Sequence, residues 1–235
     1  MTGLDVALFR SLLECQANLS IYGAPAEIGV HLGRSFFLLC AARRDGERAL
    51  AVDLFADDTL YTDSSGKGRG YTFHANRAKL GVVLSQEEIF KGYSNTLTAD
   101  EIRRRIGEVR LFSVDGGHMY DDVLGDLKLA ADVMVKDGII AIDDFMNGAW
   151  PEVTFASYDW FKQVGMDWVP FASTPAKLLV ARQGHAEKYI SAIEADPYLS
   201  RMVSRKITIL GHPVLNLRRS MKAKIIEKVR NRIQL

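Results

Sequence analysis

Residues 109–118, Val109-Arg110-Leu111-Phe112-Ser113-Val114-Asp115-Gly116-Gly117-His118, and residues 139–144, Ile139-Ile140-Ala141-Ile142-Asp143-Asp144, share one pattern: an apolar run of strand length that stops at a carboxylate. Short apolar runs bounded by turn residues or acids read as strands buried on both faces. Further runs of this kind cover residues 24–30, 49–55, 80–84, 168–171 and 178–181, making seven strands. Between them, residues 35–43, 73–79, 99–106, 121–135 and 153–164 carry helical spacing, and strand–helix alternation implies a parallel sheet covered on both faces. Only residues 172–177, with Pro175, separate the last two runs. That is too short for a helical crossover, so they form an antiparallel hairpin. The expectation is a doubly wound, mostly parallel, seven-stranded α/β sheet with a C-terminal antiparallel hairpin.

The organisation expected from this pattern is one domain over residues 1–183, with an N-terminal helix over 1–22 and a core over 23–183, followed by a helical extension over 184–235. Two cysteines, Cys15 and Cys40, lack any metal or redox spacing. A net charge of +1 gives no electrostatic footprint for nucleic acid. No apolar run approaches the roughly 18 residues of a membrane span, and the first residues lack the pattern of a secretion signal. The expected location is the cytoplasm.

In an open parallel sheet, ligands bind beyond the carboxyl ends of the strands. The first strand runs into Glu27-Ile28-Gly29-Val30-His31-Leu32-Gly33-Arg34-Ser35. Gly29 and Gly33 allow a tight turn and a close backbone approach. The helix opening near Ser35 offers its amino end to a carboxylate. Glu27 is placed to accept from an ammonium group, and His31 lies inside the loop. The glycines are four apart, which is not the dinucleotide fingerprint, so nicotinamide and flavin cofactors are disfavoured. Asp53 ends the second strand where an acid would chelate two ribose hydroxyls. Ser85-Gln86, expected at the end of the third strand, suit an adenine edge but equally the capping of a helix before Glu87-Glu88.

Asp115 and the pair Asp143-Asp144 end adjacent strands, which lie about 4.8 Å apart in a sheet. Carboxylates so close repel and raise one another's pKa unless a cation neutralises them. Three oxygen donors suit a hard divalent ion such as magnesium. His118, three residues past Asp115, is a candidate general base. From Leu217 to Ile233, apolar residues recur at steps of four among seven Arg and Lys residues, an amphipathic basic helix for packing on this domain, on a dimer partner or on a membrane surface.

These residues together resemble the class I S-adenosylmethionine-dependent methyltransferases and, within them, the metal-dependent O-methyltransferases related to catechol O-methyltransferase and macrocin O-methyltransferase. The resemblance spans residues 24–182 and implies a Rossmann-like fold. It implies that Glu27, Gly29 and Ser35 belong to the cofactor loop, that Asp53 binds ribose, and that Ser85-Gln86 lie beside adenine. It also implies that Asp115, Asp143 and Asp144 hold the metal, with Asp in place of an Asn in the catechol pattern. The catechol enzyme's lysine position is taken by His118, which leaves either His118 or Asp115 as base. Residues 143–153, with Trp150-Pro151, are more similar to the sugar-modifying branch and imply a sugar or glycan hydroxyl acceptor. Methyl transfer from a sulfonium needs alignment and an activated oxygen, and a metal holding two neighbouring oxygens implies a vicinal diol. The alternative is a non-catalytic S-adenosylmethionine-binding protein acting in a complex.

Overall fold

A computed structural model describes residues 1–55 and 70–218. In chain order the elements are α1 (Gly3–Asn18), β1 (Ala24–Ile28), α2 (Arg34–Ala41), β2 (Leu50–Asp53), α3 (Gly70–Lys79), β3 (Ile89–Lys91), α4 (Ala99–Ile106), β4 (Val109–Val114), α5 (Tyr120–Val133), β5 (Met134–Asp143), α6 (Pro151–Val164), β6 (Trp168–Ser173), β7 (Lys177–Arg182), α7 (Glu187–Ala195), α8 (Leu199–Met202), β8 (Val203–Ile209) and β9 (His212–Leu217). They build one sheet in the order β3-β2-β1-β4-β5-β7-β6-β9-β8. The strands from β3 to β5 are parallel, and β7 runs antiparallel to both β5 and β6. The doubly wound sheet and its β6–β7 hairpin are as the sequence implies.

Alternate residues feed two cores. Phe112, Val114, Ile140 and Ile142 face α4, α5 and α6, while Leu111, Ile139 and Ala141 face α1, α7 and α8. A third cluster packs Phe73 of α3 on Phe36, Phe37 and Phe55 beside the glycine loop. Helix α1 is started by a capping box in which Thr2 and Asp5 satisfy one another's free amides. At the amino edge of the sheet, Arg110 is buried in a fork with Glu47 (3.0 Å) and Gln16 (2.8 Å). Removing one partner of such a pair strands a buried charge, so Arg110→Met is expected to cost about 3–5 kcal/mol in urea unfolding. A loss under about 1 kcal/mol would show that the pair is not structural.

Four expectations are corrected. The sheet has nine strands among the described residues rather than seven, because β8 and β9 extend it past β6. Among the described residues of the extension expected to be helical from residue 184, α7 and α8 are helices and residues 203–209 and 212–217 are strands. Leu217 ends β9 instead of opening a helix; residues 219–233 of the expected basic helix lie outside the described residues. Residues 80–84 are not a strand: they follow α3 as a turn, with Leu80 and Val83 exposed, and the third strand is Ile89–Lys91. No helix of the described residues is long and apolar enough to cross a membrane.

Candidate active site

The chain leaves β1 toward β2 on one side and reaches β4 on the other, so the order reverses between β1 and β4 and a crevice opens at their carboxyl ends. A cleft of about 620 Å³ occupies this place, a size suited to a small ligand. Its walls bring together the glycine loop, Asp53, residues 92–95, Asp115 to His118, Asp144 and Trp150.

The glycine loop is held by specific bonds. Gly29 sits at φ +81° with its amide on the Val52 carbonyl (2.9 Å), and Gly33, at φ +86°, opens α2. His31 adopts φ +48° and donates its amide to Asp53 Oδ2 (2.9 Å), while the Phe55 amide donates to Asp53 Oδ1 (2.9 Å). Asp53 thus fastens the loop and still lines the cleft. Ser35 lines the cleft at the amino end of α2.

Glu27 stands behind this wall, fully buried on β1. Ser113 Oγ donates to its Oε1 (3.0 Å), whereas Oε2 has no hydrogen-bond partner. Burial pushes its carboxyl up to about 7 against the opposing effects of Ser35, Lys177 and Ser113. Ser85 and Gln86, by contrast, are at the wrong end of β3: they precede it, at the amino edge of the sheet. Ser85 forms a capping box with Glu88. The residues that follow β3 into the cleft are Gly92, Tyr93, Ser94 and Asn95.

The chemical half of the crevice is formed by the ends of β4 and β5. Asp115, His118 and Asp144 each offer one donor atom, all within 4.8 Å of one another. His118 Nε2 lies 3.2 Å from Asp144 Oδ2, and the imidazole stacks on the Trp150 indole at 4.3 Å between centroids and 16° between planes. Asp144 adopts φ +54° and also accepts from Asn147 Nδ2 (2.8 Å). A left-handed backbone at a non-glycine residue is uncommon and collects at functional sites.

Asp143 Oδ2 lies 2.8 Å from Lys177 Nζ, while its Oδ1 has no hydrogen-bond partner and the residue lines a small cavity with Asp115 and His118. Burial and the Asp143 charge push the Asp115 carboxyl well above its ordinary range. For Asp143, burial is outweighed by the bonds from Asp115 and Lys177, so its pKa is lowered. Lys177 was not singled out from the sequence; the only signal is a lysine at the head of the apolar run 178–181.

Asp126, on α5, is another buried acid the sequence did not flag. Burial pushes its carboxyl up to about 7, Ser94 lowers it and Asp122 raises it again; its Oδ2 has no hydrogen-bond partner. An unfolded aspartate loses its proton near the ordinary value of 3.8, the folded one near 7. Its contribution to stability is therefore full below pH 4 and is lost as pH rises toward 7, on the order of 4 kcal/mol at most. Asp126→Asn is expected to raise the melting temperature at pH 8 by several degrees and to change it little at pH 4. Equal shifts at both pH values would dismiss the buried titration.

Among solved structures, the chain is similar to the calicheamicin methyltransferase CalS11 (18% identity, covering 77% of each chain, TM-score 0.53). It is also similar to the O-methyltransferase NovP (17% identity, 76% of this chain and 79% of that one, TM-score 0.54). A third likeness is to an O-methyltransferase from Bacillus cereus solved with SAH (9% identity, 78% and 82%, TM-score 0.55). At these identities the likeness shows the fold, that of the class I methyltransferases. Comparison with curated protein sequences finds no match. A family profile described as a methyltransferase domain matches residues 26–145, half of the chain and the stretch that carries both the glycine loop and the acidic edge, and the chain belongs to that family.

Proposed function

We propose that the chain is an S-adenosylmethionine-dependent O-methyltransferase that acts on a vicinal diol of a sugar, glycan or other small molecule, with a divalent ion, by donor chemistry magnesium, at Asp115 and Asp144. One observation carries this reading: a single cleft joins the glycine loop and Asp53 to the Asp115–His118–Asp144 donor group.

The residues fit the cofactor. The amino end of α2 suits a carboxylate, the orphaned Glu27 Oε2 calls for a cationic donor such as an amino group, and Asp53 faces the cleft for ribose. Residues 93–95 take the adenine-side role expected of Ser85-Gln86. The donor set also fits a hard ion: Asp115 and Asp144 offer carboxylate oxygens within 4.8 Å of one another on the cleft wall, with His118 beside them. Such an ion, when bound, lowers the pKa of a coordinated hydroxyl and holds a neighbouring oxygen. His118, oriented by Asp144 and by the Trp150 face, then takes the acceptor proton.

The test is transfer of a labelled methyl group to a panel of vicinal diols and to the same compounds lacking one hydroxyl, with cofactor binding measured in parallel by calorimetry. Transfer to the diols alone is expected. Cofactor binding with no transfer to any diol or to crude glycans would favour a non-catalytic binding protein. His118→Gln is expected to lower kcat by about 10²–10⁴ and to leave Mn²⁺ affinity unchanged. A parallel loss of Mn²⁺ binding would make His118 a ligand, a role its donor spacing also allows.

A further inference from the structure

Residues 218–235 hold seven of the chain's 30 Lys and Arg residues and one of its 29 Asp and Glu residues, so this segment carries a net charge of +6 and residues 1–217 carry −5. Met221, Ile225, Ile226, Val229 and Ile233 are interspersed with the cations, and neither Gly nor Pro interrupts them. Residues 219–235 lie outside the described residues, but the fold fixes where the segment starts. β9 runs parallel to β6, and β5 and β6 both run antiparallel to β7, so Leu217 ends on the same edge of the sheet as Asp143. The Arg218 amide donates to the Met202 carbonyl (2.8 Å), which holds the exit at this edge. In the order β5-β7-β6-β9 the exit is three strand spacings from β5, roughly 15 Å. The basic segment therefore leaves from the edge on which the cleft opens, on its acceptor side.

Large apolar side chains stand exposed on that edge. Met119 precedes α5 and Met146 lies in the loop after β5; they are 54% and 72% exposed. The Met146 amide donates to Thr154 Oγ1 (2.8 Å), which brings the loop onto the start of α6 beside Phe155, also exposed. Tyr120 Oη donates to Asp159 Oδ2 (2.8 Å) and ties the start of α5 to the same helix. Met119 adjoins His118 in the chain, and Met146 shares the loop of Trp150, so these side chains flank the cleft wall.

We propose that the carboxyl edge of the sheet is a docking face for an anionic lipid surface, with residues 218–235 as its electrostatic anchor and Met119, Met146 and Phe155 as its apolar contacts, and that the acceptor diol belongs to a lipid-anchored sugar at that surface. The acceptor half rests on the function proposed above; the docking half does not. An anionic surface repels a body of net −5 and attracts a segment of +6, so the favoured approach puts that segment, and with it the cleft, in front. Apolar side chains at such a front gain by entering the boundary between headgroups and acyl chains, which a soluble polyanion does not offer.

The docking face is tested with the full chain by co-sedimentation with vesicles of phosphatidylcholine, alone or mixed with phosphatidylserine, without cofactor or acceptor. Binding is expected on the mixed vesicles only and is expected to fall steeply with added salt. Lys222→Gln/Lys224→Gln/Lys228→Gln is expected to weaken it about a hundredfold, at roughly fivefold per cation. Met146→Ser/Phe155→Ser is expected to weaken it about threefold or more with the salt dependence unchanged. Wild-type binding by the charge variant, or release from the vesicles by an equal charge of soluble polyphosphate, would overturn the docking face, and wild-type binding by the apolar variant would overturn its orientation. A chain that ignores both vesicles and runs as a dimer would give the face to a second copy. Methyl transfer to a glycolipid in the mixed vesicles is then compared with transfer to its water-soluble headgroup. A kcat/KM at least about tenfold higher for the glycolipid is expected, and equal values would overturn the lipid-anchored acceptor. No transfer to either, with vesicle binding intact, would instead sink the diol reading and leave the docking face standing.

Discussion

Replacing Asp144 with alanine is expected to slow methyl transfer at least about a hundredfold while leaving cofactor affinity within a few-fold. The side chain faces the cleft on the acceptor side, away from the glycine loop, so the cofactor walls remain. Two things are lost at once: a carboxylate of the donor group, and the partner 3.2 Å from His118 Nε2 that orients the imidazole. Asp144→Asn separates them, because an amide oxygen can still accept from His118 and tolerates the φ of +54°, yet it is a weaker donor to a hard cation. The expected order of rates is wild type, then Asn, then Ala. A chelator added to the wild type is expected to match the alanine variant. Full turnover in chelator, or an alanine variant within threefold of the wild type, would reject the role given to this edge.

Much of this edge is legible in the sequence because each element carries its own punctuation. A strand buried on both faces can only be apolar, so the carboxylates that end residues 109–114 and 139–142 mark where the sheet meets solvent and ligand. What the sequence does not give is direction. Nothing in Asp143-Asp144 tells which acid lines the large cleft, nor that Lys177 lies beside Asp143, a neighbour that only the antiparallel placement of β7 supplies.

The third strand is missed for a different reason. Residues 80–84 are apolar but leave α3 as a turn and irregular chain, with Leu80 and Val83 exposed and Val82 and Leu84 packed against the Phe73 cluster, while the strand itself has three residues. The capping reading of Ser85 prevails there, since Glu88 also accepts from the Ala49 amide and from Arg43. The β8–β9 hairpin is not legible in the sequence: Pro213 stands inside β9, where it cannot donate to the ladder, and it is the structure that shows Leu210 at φ +51° and Gly211 at φ +82° as the paired left-handed residues of a two-residue hairpin loop.

The largest stability effect is expected at Gly29, and Gly46 is its control. Both adopt almost the same left-handed backbone, φ +81° and +82°, so an alanine at either site carries the same conformational penalty of about 1 kcal/mol. They differ in what a Cβ would meet. At Gly46 there is nothing within 4 Å, whereas at Gly29 the Cβ would lie 1.7 Å from the Asp115 carbonyl oxygen and 2.4 Å from its carbon. These are backbone atoms, pinned by the bond from the Asp115 amide to the Ile28 carbonyl (3.0 Å), so no side-chain rotation relieves the overlap. Relief requires β1 and β4 to part at their carboxyl ends, which opens the floor of the cleft and displaces Asp115. Gly46→Ala should therefore lower stability by roughly 1 kcal/mol in urea unfolding, and Gly29→Ala by about 4 kcal/mol or more, with calorimetric cofactor binding lost in whatever fraction stays folded. If the two variants unfold at the same urea concentration, the close approach of these two strand ends, and with it the shape of the crevice, is wrong.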